Sequence, residues 1–203
     1  MSSLSERRRR ETRNEIAATA VELFARDGYE TTTVEEVATA AGVSRRTAYR
    51  HFPLKEDLVF VHGRIWLERF DTELESRQPG EASRDLIRRA LLDVADTIEE
   101  TRDVVLPAWD LAMAHEALRG RIGRFQSDWM ERYLAVMTAD VGDRPEGLIE
   151  AVTMAGTLVG TTNGIVGLWA TRRPSADMRE LTAAVLERVD PIWPDECRVG
   201  PPT

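Results

Sequence analysis

Three arginines crowd a stretch of six residues, Arg45, Arg46 and Arg50, with Tyr49 among them and no acid until Glu56. A guanidinium can pair both acceptors of a guanine edge, and each good pair contributes roughly 1–3 kcal/mol of discrimination between bases. Thr47 adds a methyl and a hydroxyl, suited to a thymine methyl or a phosphate oxygen. Lys55 follows where another helix is expected to start, and its charge beside exposed helix amides suits a phosphate. A lone pair of arginines is usually no more than a solvated face, so the meaning of these residues depends on what holds them.

The flanking residues supply that frame. Thr33-Val34-Glu35-Glu36 has the form of a capping box, so a helix is predicted to begin at Val34, with Val34, Val37, Ala38 and Ala41 on one face. Gly42 stands where a helix end requires positive φ, and Ser44 is a good N-cap for a second helix over residues 45–51. A helix, a short glycine turn and a second basic helix make a helix-turn-helix, whose second member enters the major groove of double-stranded DNA.

These residues also carry a family likeness. Gly28-Tyr29-Glu30-Thr31-Thr32-Thr33, Val37-Ala38, Ala41-Gly42-Val43-Ser44, Thr47-Ala48-Tyr49-Arg50-His51-Phe52 and Lys55-Glu56-Asp57-Leu58 resemble the TetR family of transcriptional regulators, over about residues 12–60. The resemblance implies an all-α homodimer with three DNA-binding helices and a divergent ligand-binding C-terminal domain. It implies that Thr33, Ser44, His51 and Lys55 contact or position the DNA backbone, and that Arg45, Arg46, Thr47 and Tyr49 lie on the groove-facing helix. Ala48 departs from the larger apolar residue frequent there, which affects packing more than reading. Beyond about residue 75 the likeness ends, and it names no effector.

The net charge of −8 is unevenly spread. Residues 1–55 hold nine Arg and one Lys against eight acids, a net +2, which leaves −10 for the rest. For phosphate binding the local patch matters more than the total. Arg7 to Arg10 and Arg13 form a second basic group, and residues 1–10 are expected to be a polar arm, either laid on DNA or merely solubilising. The expected organisation is this arm, a DNA-binding domain over 11–54, a ligand-binding and dimerisation domain over 55–190, and an irregular tail over 191–203.

No strand pattern of useful length is present, so the expected class is all-α. Helices are predicted at about 11–26, 55–77, 82–100, 104–115, 117–140, 146–171 and 175–190. The 55–77 helix is about 35 Å long and spans both expected domains. The single Cys197 excludes an intramolecular disulfide, and three scattered histidines give no metal spacing. The uncharged run 151–171 is long enough for a membrane span but carries threonines, Asn163 and four glycines. A soluble cytoplasmic protein with no cofactor is expected.

Trp66, Phe70, Trp109, Met113, Phe125, Trp129 and Tyr133 are candidate lining residues for a small apolar or amphipathic effector, with Thr161 and Asn163 as polar anchors. Taken singly, each is more often ordinary core. Gly156, Gly160 and Gly164 recur every fourth residue, at about 1 kcal/mol each relative to alanine. They serve either close approach in a homodimer formed by the two C-terminal helices or room for ligand. The expected function is a regulator, a repressor in most of the resembling family, released from a palindromic operator by its effector. A helical enzyme or ligand-sequestering protein is the rival, but no nucleophile, base and orienter are grouped in the sequence.

Overall fold

The computed structural model describes residues 4–142, 144–172, 175–195 and 197. Among them the secondary structure is helical throughout, and two compact units can be distinguished. One comprises Met1–Ile65 with Asp103–Ile122, and the other Trp66–Arg102 with Gly123–Thr203.

In the first unit, α1 (Leu4–Asp27) buries Ile16, Ala17, Ala20 and Phe24, spaced three and four apart as a helix face requires. It ends at Gly28, with φ +95°. The capping box before α2 (Val34–Ala40) is present in full. The Thr33 hydroxyl accepts from the Glu36 amide at 3.2 Å, while the Thr33 amide donates to the Glu36 carboxylate at 2.7 Å. At the other end Gly42 takes φ +67°, its N–H donates to the Thr39 carbonyl at 3.2 Å, and Val43 N–H reaches the Ala38 carbonyl at 2.9 Å. This paired closure is the Schellman arrangement. Ser44 then caps α3 (Arg45–His51) by accepting from the Thr47 amide at 3.1 Å. Ala48, Phe52, Val37 and Leu58 meet Phe24 and Ile16 in one core, with Ala108, Ala112 and Leu118 also part of it.

Two expectations about this region need correction. The arginine-rich segment is not a separate arm, because α1 already begins at Leu4. Four helix-favouring arginines continue the turns of α1 upstream, a propensity outweighed in the sequence reading by the polarity of the segment. The long helix expected over 55–77 is interrupted. A 3-10 turn, Lys55–Leu58, precedes α4 (Val61–Glu75), which is only about 22 Å long. Asp57 accepts from the Leu54 amide at 3.2 Å and so caps the start of that turn.

The second unit contains α5 (Ser83–Glu100) and α9 (Met178–Val189), which pack on one another, and α8 (Pro145–Arg172), which packs on α9. In chain order α6 (Arg102–Ala114), which carries Pro107 inside it and falls almost wholly in the first unit, and α7 (Glu116–Val141), whose residues from Gly123 on fall in the second, come between α5 and α8. Two polar nodes pin the second unit. Asp140, whose side chain is fully buried, accepts from the Ser83 amide at 3.1 Å and from Arg77 at 2.7 Å. Glu99 accepts from the Trp169 indole and the Met178 amide, both at 3.0 Å, while Arg102 lies 4.9 Å from the Trp169 ring. Asp190–Ile192 forms a 3-10 turn, and Trp193 and Cys197 are buried, so this part of the tail packs rather than trailing. Residues 198–203 lie outside the described residues.

Helix α8 is long and apolar enough to cross a membrane by composition alone, with a mean hydropathy of 1.2 over its most apolar window. It nevertheless buries Ala151, Met154, Ala155, Leu158, Ile165 and Trp169 within the unit. Its other face leaves Ile149, Val152 and Leu168 exposed. A β-carbon added at Gly160 or Gly164 would meet nothing within 4 Å, so neither glycine is required by packing inside the chain.

Gly42→Ala is expected to destabilise the protein by about 1–2 kcal/mol, because an L-residue is strained at that φ. Thr33→Ala is expected to cost about 1 kcal/mol through the lost cap. Urea unfolding followed by circular dichroism checks both; wild-type midpoints in either variant contradict the turn and cap assignments.

Candidate nucleic-acid interface

Helix α3 is held by its apolar side: Ala48 is fully buried and Phe52 nearly so. Arg45, Arg46, Tyr49 and Arg50 are thereby directed outward and exposed. The Arg46 and Arg50 side chains make no hydrogen bond or ion pair among the described residues. Arg45 differs. Its guanidinium meets the Glu35 carboxylate at 2.7 Å and lies 5.5 Å from the centre of the Tyr49 ring. The Tyr49 hydroxyl also reaches Glu35, at 3.2 Å. Thr47 is half-buried, with its hydroxyl 2.9 Å from that of Ser44, so it belongs partly to the cap.

The remaining candidates have internal work. Thr33 and Ser44 are engaged as caps. The Lys55 ammonium donates to the carbonyl of Tyr29, with that of Glu30 at 3.5 Å, and sits 4.4 Å from the Tyr29 ring centre. It therefore ties the α1–α2 turn to the segment after α3. Burial, then the carboxylates of Glu56 and Glu30, pushes the Tyr29 phenol up to about 12. His51 is only 9% exposed. Burial, then the positive charges of Arg50, Arg9 and Arg13, hold its imidazole below the usual value. Arg9 and Arg13 of α1 thus act electrostatically on the end of α3.

Glu35 escaped the sequence reading, where it appeared only as an acid inside the capping box. Ten residues separate it from Arg45, and only the corner between α2 and α3 closes that gap. The pairing of Arg121 with Asp57, and of His115 with the Tyr29 ring at 5.0 Å, likewise had no local signal.

In the second unit, Trp66, Phe70, Phe125, Trp129 and Tyr133 do assemble. Phe70 lies 4.9 Å from Trp129 and 5.5 Å from Tyr133, Trp66 lies 6.2 Å from Phe125, and Phe125 lies 6.1 Å from Trp129, all edge-to-face. The Trp66 indole N–H and the Tyr133 hydroxyl are buried without a hydrogen bond of good geometry. Burial pushes the Tyr133 phenol up, and neighbouring Thr162 draws it back. Trp109 and Met113 fall in the first unit instead, where Met113 packs against the core. The expected polar anchors are occupied: Thr161 donates to the Thr157 carbonyl and Asn163 to the Val159 carbonyl, each at 2.8 Å. A cleft of about 410 Å³ in this unit lies away from the aromatic cluster, walled by four carboxylates and three arginines. Its charges are largely paired, as in Arg89 with Glu73 and Arg179 with Asp96. Among the described residues no cluster suited to a metal ion occurs.

Comparison with known proteins follows the same division. Residues 16–61 match the bacterial regulatory proteins of the tetR family. The HTH-type transcriptional regulator TcmR of Streptomyces glaucescens is 42% identical over 78 residues, covering 38% of this chain and 34% of that one. The chain spans about a third to a half of the length of several curated relatives it matches. FadR of Thermus thermophilus, a repressor solved in complex with lauroyl-CoA, shares the fold with a TM-score of 0.55 and 21% identity, covering 87% of this chain and 92% of that one. FadR of Bacillus subtilis, solved with stearoyl-CoA, has a TM-score of 0.58 and 20% identity, covering 85% and 95%.

The histidines make stability depend on pH. Burial, then Arg13, holds His62 low as well. In the unfolded chain both titrate near 6.5. Below about pH 6.5 the unfolded state therefore binds protons that the folded state resists, and stability falls as pH falls toward the folded values; above about 7 neither contributes. Carboxylates also titrate, so the comparison is with a variant. Between pH 7.5 and 5.5, the double variant His51→Gln/His62→Gln is expected to lose less of its urea midpoint than wild type. Equal losses contradict the assignment.

Proposed function

From residues 16–61, which belong to the TetR family of bacterial regulatory proteins, we infer that the whole chain is a sequence-specific DNA-binding transcriptional regulator. The observation that carries this reading is a capped helix-turn-helix whose second helix projects Arg46 and Arg50 unpaired beside the arginines of α1. Arg45 and Arg46 are the base readers, Arg50 neutralises phosphate, and Thr33, Ser44, Thr47, Tyr49, His51 and Lys55 support or flank them. Lys55 and His51 act chiefly by holding the corner, given their internal partners and burial. The unit extends over residues 11–54, with the arginines of residues 4–10 adding to its charge.

The protein acts as a homodimer through α8 and α9. The exposed Ile149, Val152 and Leu168, with open space over Gly160 and Gly164, favour a second copy there over a ligand. Two α3 helices about 34–36 Å apart would then meet successive major grooves of a palindromic operator. The protein is cytoplasmic and represses its target until an effector binds in the domain spanning residues 55–190. Trp66 supports an effector with an apolar body and a hydrogen-bond acceptor, since its buried indole N–H lacks a partner among the described residues. The acyl-CoA complexes of both FadR proteins are of that chemical kind.

Selection of bound fragments from random DNA is expected to recover an inverted repeat. On that duplex Arg46→Ala should lose about 1–3 kcal/mol of preference per half-site, whereas Arg50→Ala should weaken all sequences alike and flatten the salt dependence by about 0.9 per subunit, about 1.8 for the dimer. Unchanged binding in both contradicts the assignment. Lauroyl-CoA serves as the first effector probe: it is expected to displace the duplex from wild type, and at higher concentration from Trp66→Phe. Displacement at equal concentration in both removes Trp66 from the effector site.

A further inference from the structure

We propose that Glu35 is a positioning residue for base reading: it fixes Arg45 and Tyr49 in one arrangement and withholds the Arg45 charge from general attraction to phosphates. The proposal rests on the DNA-reading function proposed above. One carboxylate oxygen of Glu35 meets both the Arg45 guanidinium at 2.7 Å and the Tyr49 hydroxyl at 3.2 Å, and Arg45 in turn lies over the Tyr49 ring at 5.5 Å. The three side chains close a circuit from the first turn of α2 to the outer face of α3.

This circuit is not there for stability. The Arg45 and Glu35 side chains are 71% and 38% exposed, and ion pairs so open to water add little to folding. An acid on the surface that meets a polyanion weakens attraction, so its use must lie elsewhere. A guanidinium has five donors, and one carboxylate leaves most of them available to a base edge. A side chain already held in one arrangement loses less freedom on docking. A duplex in the wrong register meets the Glu35 charge without an Arg45–base contact to offset it, which separates right from wrong sequence. Arg50, exposed and without an ion pair among the described residues, supplies the sequence-blind attraction.

The test uses full-length protein with two duplexes, the best fragment from selection and a scrambled duplex of equal composition, across a salt series. In Glu35→Gln, Arg45 becomes available to phosphate. Affinity for the scrambled duplex is expected to rise several-fold, its salt slope to steepen by about 0.9 per subunit, about 1.8 for the dimer, and the ratio between the duplexes to fall several-fold. Tyr49→Phe keeps the ring but loses the hydroxyl, and is expected to move the same way by less. It carries the test should Glu35→Gln fail to fold by circular dichroism. Variants that fold with wild-type ratio and slope overturn the role of Glu35 alone. Wild-type protein with no preference between the duplexes overturns the DNA reading, and the proposal with it.

Discussion

The corner at Gly42 is the constraint on which the reading surface depends. Helices α2 and α3 have seven residues each, too short to persist alone in water. They are held by closure at both ends: the Thr33–Glu36 box, the paired bonds to the Thr39 and Ala38 carbonyls, and the Ser44 cap. Packing then sets rotation. With Ala48 and Phe52 inward, the arginines of α3 have only the outside to occupy.

That arrangement divides the cationic groups by task. Arg46 and Arg50 stand open to solvent, and Arg45 is tethered across the corner. Lys55 is drawn inward to backbone carbonyls and an aromatic face, a place that suits an ammonium with three donors. His51 stays neutral near pH 7 because burial and surrounding arginines both oppose a further charge. A chain of net charge −8 can thus present a basic surface where it is needed.

The second unit is organised by different means. The buried Asp140 carboxylate and the partly buried Glu99 carboxylate each gather donors from separate segments, so each charge is met by hydrogen bonds. In the aromatic cluster Phe70 meets both Trp129 and Tyr133 edge-to-face, yet the buried Trp66 donor is left unmatched among the described residues. Helix α8 buries one face and keeps an apolar and glycine-bearing face outside.

The local signals were legible in the sequence because they act within three or four residues. Thr33 with Glu36, Gly42 at positive φ, Ser44 before α3 and the all-helical class all depend on such short-range geometry. The aromatic spacing of Phe125, Trp129 and Tyr133 was likewise readable, since a helix brings residues four apart to one face. Tertiary structure alone decided the rest. It broke the expected 55–77 helix near its start, brought Glu35 to Arg45, turned Lys55 inward, and gave Trp109 and Met113 to the first unit. Such outcomes depend on which surfaces meet after the chain turns, and side-chain contacts between distant segments leave no periodicity in the order of residues.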